Sequence, residues 1–164
     1  MQSDVAGPHW AILIAQDDDV ELTVSSLSNH MSDMQREKFR DKLHRYVRKP
    51  DRDLLLAVAE NRVLGFYTVI ERDSLPPELP VGVTNRLQDF ACCTGLMVHP
   101  DYRRKGIGAA LQLRGEQWAR SRNRSGFWLS THRQAGWYRR HFGFKEEGKA
   151  TVREIERTIM AKEF

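Results

Sequence analysis

Leu96-Met97-Val98-His99-Pro100-Asp101-Tyr102-Arg103-Arg104-Lys105-Gly106-Ile107-Gly108-Ala109-Ala110 reads as the end of a strand, a basic turn and the start of a helix. The apolar run ending at Val98 is closed by Pro100, and three successive cations lead into two glycines. A glycine has no Cβ, so backbone N–H groups at such a turn can approach an anion closely, and the positive end of the helix dipole favours phosphate there. Arg103, Arg104 and Lys105 add charge of the right sign. A basic turn with glycines also opens many helices that bind nothing, so the surrounding elements carry weight.

Upstream, residues 53–59 and 63–70 are apolar runs separated by Glu60-Asn61-Arg62, the pattern of an antiparallel hairpin. Before them, residues 9–16 read as a strand, Asp17, Asp18 and Asp19 as helix-starting carboxylates, and Met34, Phe39, Leu43, Tyr46 and Val47 as the apolar side of a helix that Pro50 stops. Residues 72–88 hold Pro76, Pro77, Pro80 and Gly82 without a sustained period, and read as a long loop and a candidate substrate lid. Residues 90–98 form the strand that enters the glycine turn. The helix after it runs to about Ser121, with Ile107, Ala110, Leu111 and Trp118 on one face, Gln112, Glu116 and Arg120 on the other, and Arg114 among the apolar positions. A strand over 126–131, a helix over 134–141 and a strand pair over 144–149 and 154–161 complete the order β, α, α, β, β, β, α, β, α, β, β. Hairpins beside one strand-helix-strand unit predict a mixed α+β sheet.

The 164 residues suffice for one buried core, so a single domain over 1–164 is expected. With 40% hydrophobic and 29% charged residues the chain sits among folded proteins, and its apolar runs are far below the roughly 20 residues of a membrane span. The polar stretch 1–9 lacks the basic and apolar regions of a secretory signal. Cys92 and Cys93 are adjacent, which is poor geometry for a disulfide between them, and reduced thiols fit a cytoplasmic protein. The net charge of +4 is modest and its arginines are interleaved with carboxylates, including in the Arg-rich stretches 36–48 and 120–124. A small phosphate-bearing ligand accounts for it without nucleic acid. No spacing of histidines, cysteines and carboxylates resembles a metal site.

Val98, Pro100, Arg103, Gly106 and Gly108 match, position for position, the signature of the GNAT superfamily of N-acetyltransferases, which the chain resembles. The similarity continues through the hairpin 54–70 with Gly65, and through Ala135 and Gly143-Phe144, so it runs from near Asp53 to near Phe144. The resemblance implies a mixed, mostly antiparallel central sheet of six to seven strands flanked by about four helices, splayed at the cofactor site. It implies acetyl-CoA as acyl donor and no metal. It gives the pyrophosphate to the backbone of Arg104, Lys105, Gly106, Ile107, Gly108 and Ala109 beside Arg103, and the pantetheine arm to the main chain of Leu96, Met97 and Val98, whose side chains at 96 and 98 would face the core. The thioester would lie between Val98 and the strand 126–131.

Acetylating an amine requires loss of a proton from nitrogen, and the departing thiolate can be protonated by an acid. In many members of the resembled family a tyrosine of the later helix has that role. Tyr138 is the candidate here, although counting back from Gly143 puts the family position on Arg139. Where some relatives carry a glutamate base, eleven residues before Arg103, this chain has Cys92, a small apolar residue in its bland reading. Glu71, Asp89, His132 or a water relay could remove the proton. His99, Tyr102, Trp137 and His141 need no role beyond surface or core placement. Residues 17–47 and 72–88 would shape the acceptor pocket, and Glu71, Asp73 and Glu78 would suit a cationic amine, from a small molecule or a peptide. The displaced tyrosine and absent glutamate leave open a CoA-binding module without catalysis. A homodimer would be unsurprising.

Overall fold

In a computed structural model the protein is described over residues 9–164; the reading of the extreme N-terminus as lacking a signal falls largely outside these residues. Seven strands form one mixed, mostly antiparallel sheet in the order β1-β2-β3-β4-β5-β7-β6. They are β1 Ala11–Ile14, β2 Arg52–Ala59, β3 Arg62–Ile70, β4 Ala91–Val98, β5 Gly126–Thr131, β6 Lys145–Val152 and β7 Ile155–Glu163. The helices among the described residues are α1 Asp19–Leu27, α2 Asp33–His44, α3 Val81–Leu87, α4 Ile107–Ser121 and α5 Ala135–Phe142. The α+β expectation holds, with one helix more than the sequence indicated. β1 pairs antiparallel with β2, β5 and β6 each pair antiparallel with β7, and β4 pairs parallel with β5 at Ala91↔Phe127 and Cys92↔Trp128.

The described residues divide into two compact units, 9–69 with 95–115, and 70–94 with 116–164. In the first, α1 and α2 bury Val20, Val24, Leu27, Phe39 and Leu43, and the strands bury Leu54, Leu55, Leu56, Phe66, Tyr67 and Val69. The Phe39 and Phe66 rings lie 5.4 Å apart. Ser32 caps α2 reciprocally with Gln35, which fixes its first turn. In the second unit Phe90, Phe127, Leu129, Phe144, Ile159 and Met160 form the core, and Gly143 closes α5 in the left-handed conformation at φ 74°.

Several expectations are corrected. Residues 72–88 are not one continuous loop: α3 occupies Val81–Leu87, and its single buried side chain, Leu87, is too few for a visible period. The segment is also anchored to β6, because the Glu78 carboxylate accepts from the Thr151 N–H at 2.8 Å and Arg86 pairs with Glu147. Met34 is exposed, and α2 ends before Tyr46 and Val47, which are buried from the turn after it. Gln112 and Glu116 are buried rather than on a wet face of α4. The Tyr67 hydroxyl donates to Gln112 at 2.6 Å, and Glu116 pairs with Lys162 at 2.7 Å, so both polar ends are compensated inside. Arg114 is half-buried. The basic stretches are paired with carboxylates: Arg36 with Asp33, Arg40 with Glu21 and Glu37, Arg48 with Asp17, Arg122 with Glu71. In the second stretch Arg120 stacks on Phe164 and Arg122 on Trp118, so it is packed against the protein as well as solvated.

Candidate functional site

The strand end and the glycine turn lie in the first unit. The His99 N–H donates to the Leu64 carbonyl at 2.8 Å, which extends β4 one residue beyond Val98. Pro100–Tyr102 then make one 3-10 turn, and the His99 Nδ1 accepts from the Asp101 N–H at 3.1 Å. Arg103 folds back, its Nε donating to the Val98 carbonyl at 3.1 Å. Arg104 at φ 62° and Gly106 at φ 83° are left-handed, which reverses the chain so that α4 starts at Ile107. The Ala110 N–H donates to the Gly106 carbonyl at 3.0 Å, while the N–H groups before it belong to the first turn, which has no intrahelical acceptors. Arg103, Arg104 and Lys105 are exposed, and among the described residues none forms an ion pair with a carboxylate. Three cations beside a helix start give this turn a local positive charge that favours an anion.

β3 approaches β4 closely here, since a Cβ on Gly65 would stand 2.8 Å from the Met97 carbonyl oxygen. Leu96, Met97 and Val98 are half-buried, a partly exposed strand end. Lys42 at this strand is not foreseeable from the sequence. Its ammonium comes from α2, lies 5.9 Å from the Phe66 ring centroid, and occupies the space that a side chain on Gly95 would need, 2.6 Å from an ideal Cβ.

The acid and base candidates belong to the second unit. Tyr138 is buried, with ring centroids of Trp137, Phe144 and Phe142 at 4.9, 5.6 and 6.3 Å. Burial, reinforced by the neighbouring Cys93 thiol, pushes its hydroxyl well above the ordinary tyrosine range. Among the described residues no side chain or backbone group hydrogen-bonds that hydroxyl. Arg139, on which the family's tyrosine position falls by counting, is exposed. Cys92 is buried, and burial first, then Cys93 and Asp73, raises its thiol strongly. A thiol held protonated is unreactive. Cys92 should therefore resist alkylation in the folded protein at mildly alkaline pH, and labelling at the unfolded rate would contradict its burial. Glu71 pairs with Arg122 at 3.0 Å, Asp89 with Arg72 at 3.4 Å, and His132 Nδ1 lies 3.2 Å from the Glu156 carbonyl oxygen. Asp73 accepts from the Ser74 N–H at 2.8 Å. The carboxylates singled out for binding a cationic amine are thus already engaged within the protein.

Among the described residues no group of three or more His, Cys, Asp or Glu could hold a metal ion, and no helix is long and apolar enough to cross a membrane. The model of the Acetyltransferase (GNAT) family matches residues 20–144, and the chain belongs to that family. No curated protein matches it. Solved structures with the same fold include the PaiA N-acetyltransferase of Thermoplasma acidophilum in complex with coenzyme A, at 20% identity and TM-score 0.66 over 94% of this chain and 99% of that one. The ribosomal-protein-S18-alanine N-acetyltransferase of Escherichia coli is 16% identical, with TM-score 0.65 over 94% and 93%. A candidate streptothricin acetyltransferase of Bacillus anthracis str. Ames, in complex with acetyl coenzyme A, is 16% identical, with TM-score 0.67 over 94% of this chain and 97% of that one.

Proposed function

We propose that the protein is an acetyl-CoA-dependent N-acetyltransferase, a single domain over 1–164 that moves the acetyl group directly to a primary amine. The observation that carries this reading is the run Arg103-Arg104-Lys105, without carboxylate partners, entering the left-handed Gly106 turn at the start of α4. Backbone N–H groups of 104–109 would hold the pyrophosphate, and the main chain of half-buried Leu96, Met97 and Val98 would carry the pantetheine arm. Family membership and the CoA complexes of its structural relatives support the same donor. All three points at which the chain passes from one compact unit to the other fall inside regular elements, β3, β4 and α4, which supports treating 1–164 as one domain. The reading places the protein in the cytoplasm, leaves a homodimer open, and requires neither metal nor nucleic acid.

Tyr138 would act as the acid. Burial raises its pKa, so the hydroxyl keeps its proton through the physiological range but yields it less readily than an ordinary tyrosine, and transfer to the thiolate would require the bound cofactor to offset that burial. Tyr138→Phe should lower kcat about 10- to 100-fold with acetyl-CoA affinity unchanged. An unaltered rate would return Tyr138 to the core. With Glu71 and Asp89 paired to arginines, deprotonation of the amine is best assigned to a water relay.

The decisive test is calorimetric titration with acetyl-CoA, followed by thiol release with a panel of amines. Binding with amine-dependent release is the expected result, and absence of binding would remove the reading. The buried setting of Tyr138 and Cys92 in place of a glutamate favour a second reading, a CoA-binding module without catalysis, which predicts binding without release.

A further inference from the structure

Beside the glycine turn, within the first unit, lies a polar pocket of about 380 Å³ that the acetyl-transfer reading does not use. The volume is in the lower part of the range for small-molecule sites. Three segments distant in sequence line it: the end of α1 and the residues after it, the β2–β3 turn, and the 3-10 turn after β4. We infer that it binds a phosphomonoester carried on a small hydroxylated molecule.

Arg62 is the main reason. Its Nη1 donates to the Tyr102 hydroxyl at 2.6 Å, and its guanidinium lies 6.0 Å from that ring's centroid, so the side chain is held in place. One of five N–H donors is thereby used, and among the described residues no carboxylate pairs with Arg62. Lys105 approaches the same ring at 5.5 Å, again without an acidic partner among the described residues. Two cations fixed around one ring suit a dianion better than a carboxylate monoanion.

The rest of the lining is rich in donors. The His99 Nδ1 accepts from the Asp101 N–H, which leaves the neutral ring's proton on Nε2 as a donor. The Ser26 hydroxyl accepts from the Val63 N–H at 3.0 Å and so retains its own proton for a ligand. Asn29 and Asn61 offer amides of both polarities, suited to hydroxyl groups on a carrier. The one lining carboxylate, Asp101, has a side chain 82% exposed, so water screens it.

Two sources present this chemistry. One is the 3′-phosphoribose end of CoA itself, folded back over Tyr102, which rests on the proposed donor. The other is a separate sugar phosphate, which does not.

Calorimetry of the wild type and Arg62→Gln with CoA, 3′-dephospho-CoA and ribose 5-phosphate separates them. If CoA's own phosphate is the ligand, the wild type prefers CoA to 3′-dephospho-CoA by at least tenfold and Arg62→Gln abolishes the preference. If the ligand is separate, CoA and its dephospho form bind alike, and ribose 5-phosphate binds CoA-saturated wild type but not Arg62→Gln. Should CoA not bind at all, the donor reading fails, and ribose 5-phosphate binding to the free protein still decides the pocket. In that case binding must be lost in Arg62→Gln and kept in Gly106→Asp. Arg62 is exposed, so the variant is expected to fold, and Asn61→Asp, which places a carboxylate in the lining, supplies a second probe of the same loss. Equal affinity for both CoA forms, with no ribose 5-phosphate bound to any form at millimolar concentration, overturns the inference.

Discussion

Gly106→Asp is expected to weaken CoA binding at least a hundredfold, while Gly106→Asn weakens it about tenfold or less. Gly106 has φ 83°, a left-handed conformation that asparagine and aspartate tolerate better than other side chains. Nothing lies within 4 Å of an ideal Cβ, so neither side chain is excluded by space. The two replacements have nearly the same shape and differ in one negative charge. At about 4 Å from a phosphate charge and an effective dielectric constant near 20, that charge costs about 4 kcal/mol, or roughly a thousandfold. The turn is exposed, so screening brings the expectation down toward a hundredfold. Gly108→Asp provides a check against misfolding. Position 108 is the second residue of α4, where a carboxylate favours the helix dipole, so binding should fall while thermal stability is kept. Equal CoA affinity for Asp and Asn at position 106 would remove the phosphate assignment.

The glycine turn could be read from sequence because its signals are local. A proline after an apolar run, basic residues and a glycine required at positive φ all lie within a few positions of one another, and the hairpin around Gly65 is similarly self-contained. Other features depend on residues far apart in the chain. Gln112 reads as polar surface because its partner, the Tyr67 hydroxyl, is 45 positions away. α3 escapes notice because three prolines precede or cap it and only Leu87 of its seven residues is buried. Glu71 and Asp89 resemble available bases until Arg122 and Arg72 are seen beside them. Lys42, Arg62 and Ser26 are single residues on unremarkable elements, and only the fold brings them to β4 and to the polar pocket. The candidate acid falls between these cases: its helix is legible in the sequence, but that Tyr138 is buried while Arg139, on the position the family motif points to, is exposed is visible only in the fold.

Gly115→Ala is expected to destabilise the protein by about 2 to 3 kcal/mol, the cost of overpacking a well-filled core, and to lower the melting temperature by roughly 4 to 12 °C for a chain of this size. On helix propensity alone the change should stabilise α4 by about 1 kcal/mol, so the sign of the result depends on what the methyl group meets. An ideal Cβ at position 115 would stand 2.5 Å from the Tyr67 Cε1 and 3.1 Å from its Cζ. Contacts that short require movement, and the Tyr67 ring has little freedom. It is fully buried, and its hydroxyl is tied to Gln112 on α4 itself. The helix cannot withdraw without stretching that bond, and the ring cannot rotate away without breaking it. Combining Gly115→Ala with Tyr67→Leu tests this account, because removing the ring should make the added methyl nearly harmless, and the double variant should be much less destabilised than the sum of the singles. Chemical denaturation with unchanged m-values would measure both quantities. A neutral or stabilising Gly115→Ala would mean that Tyr67 has room to shift, and that glycine at this position is not required by the packing of α4 on β3.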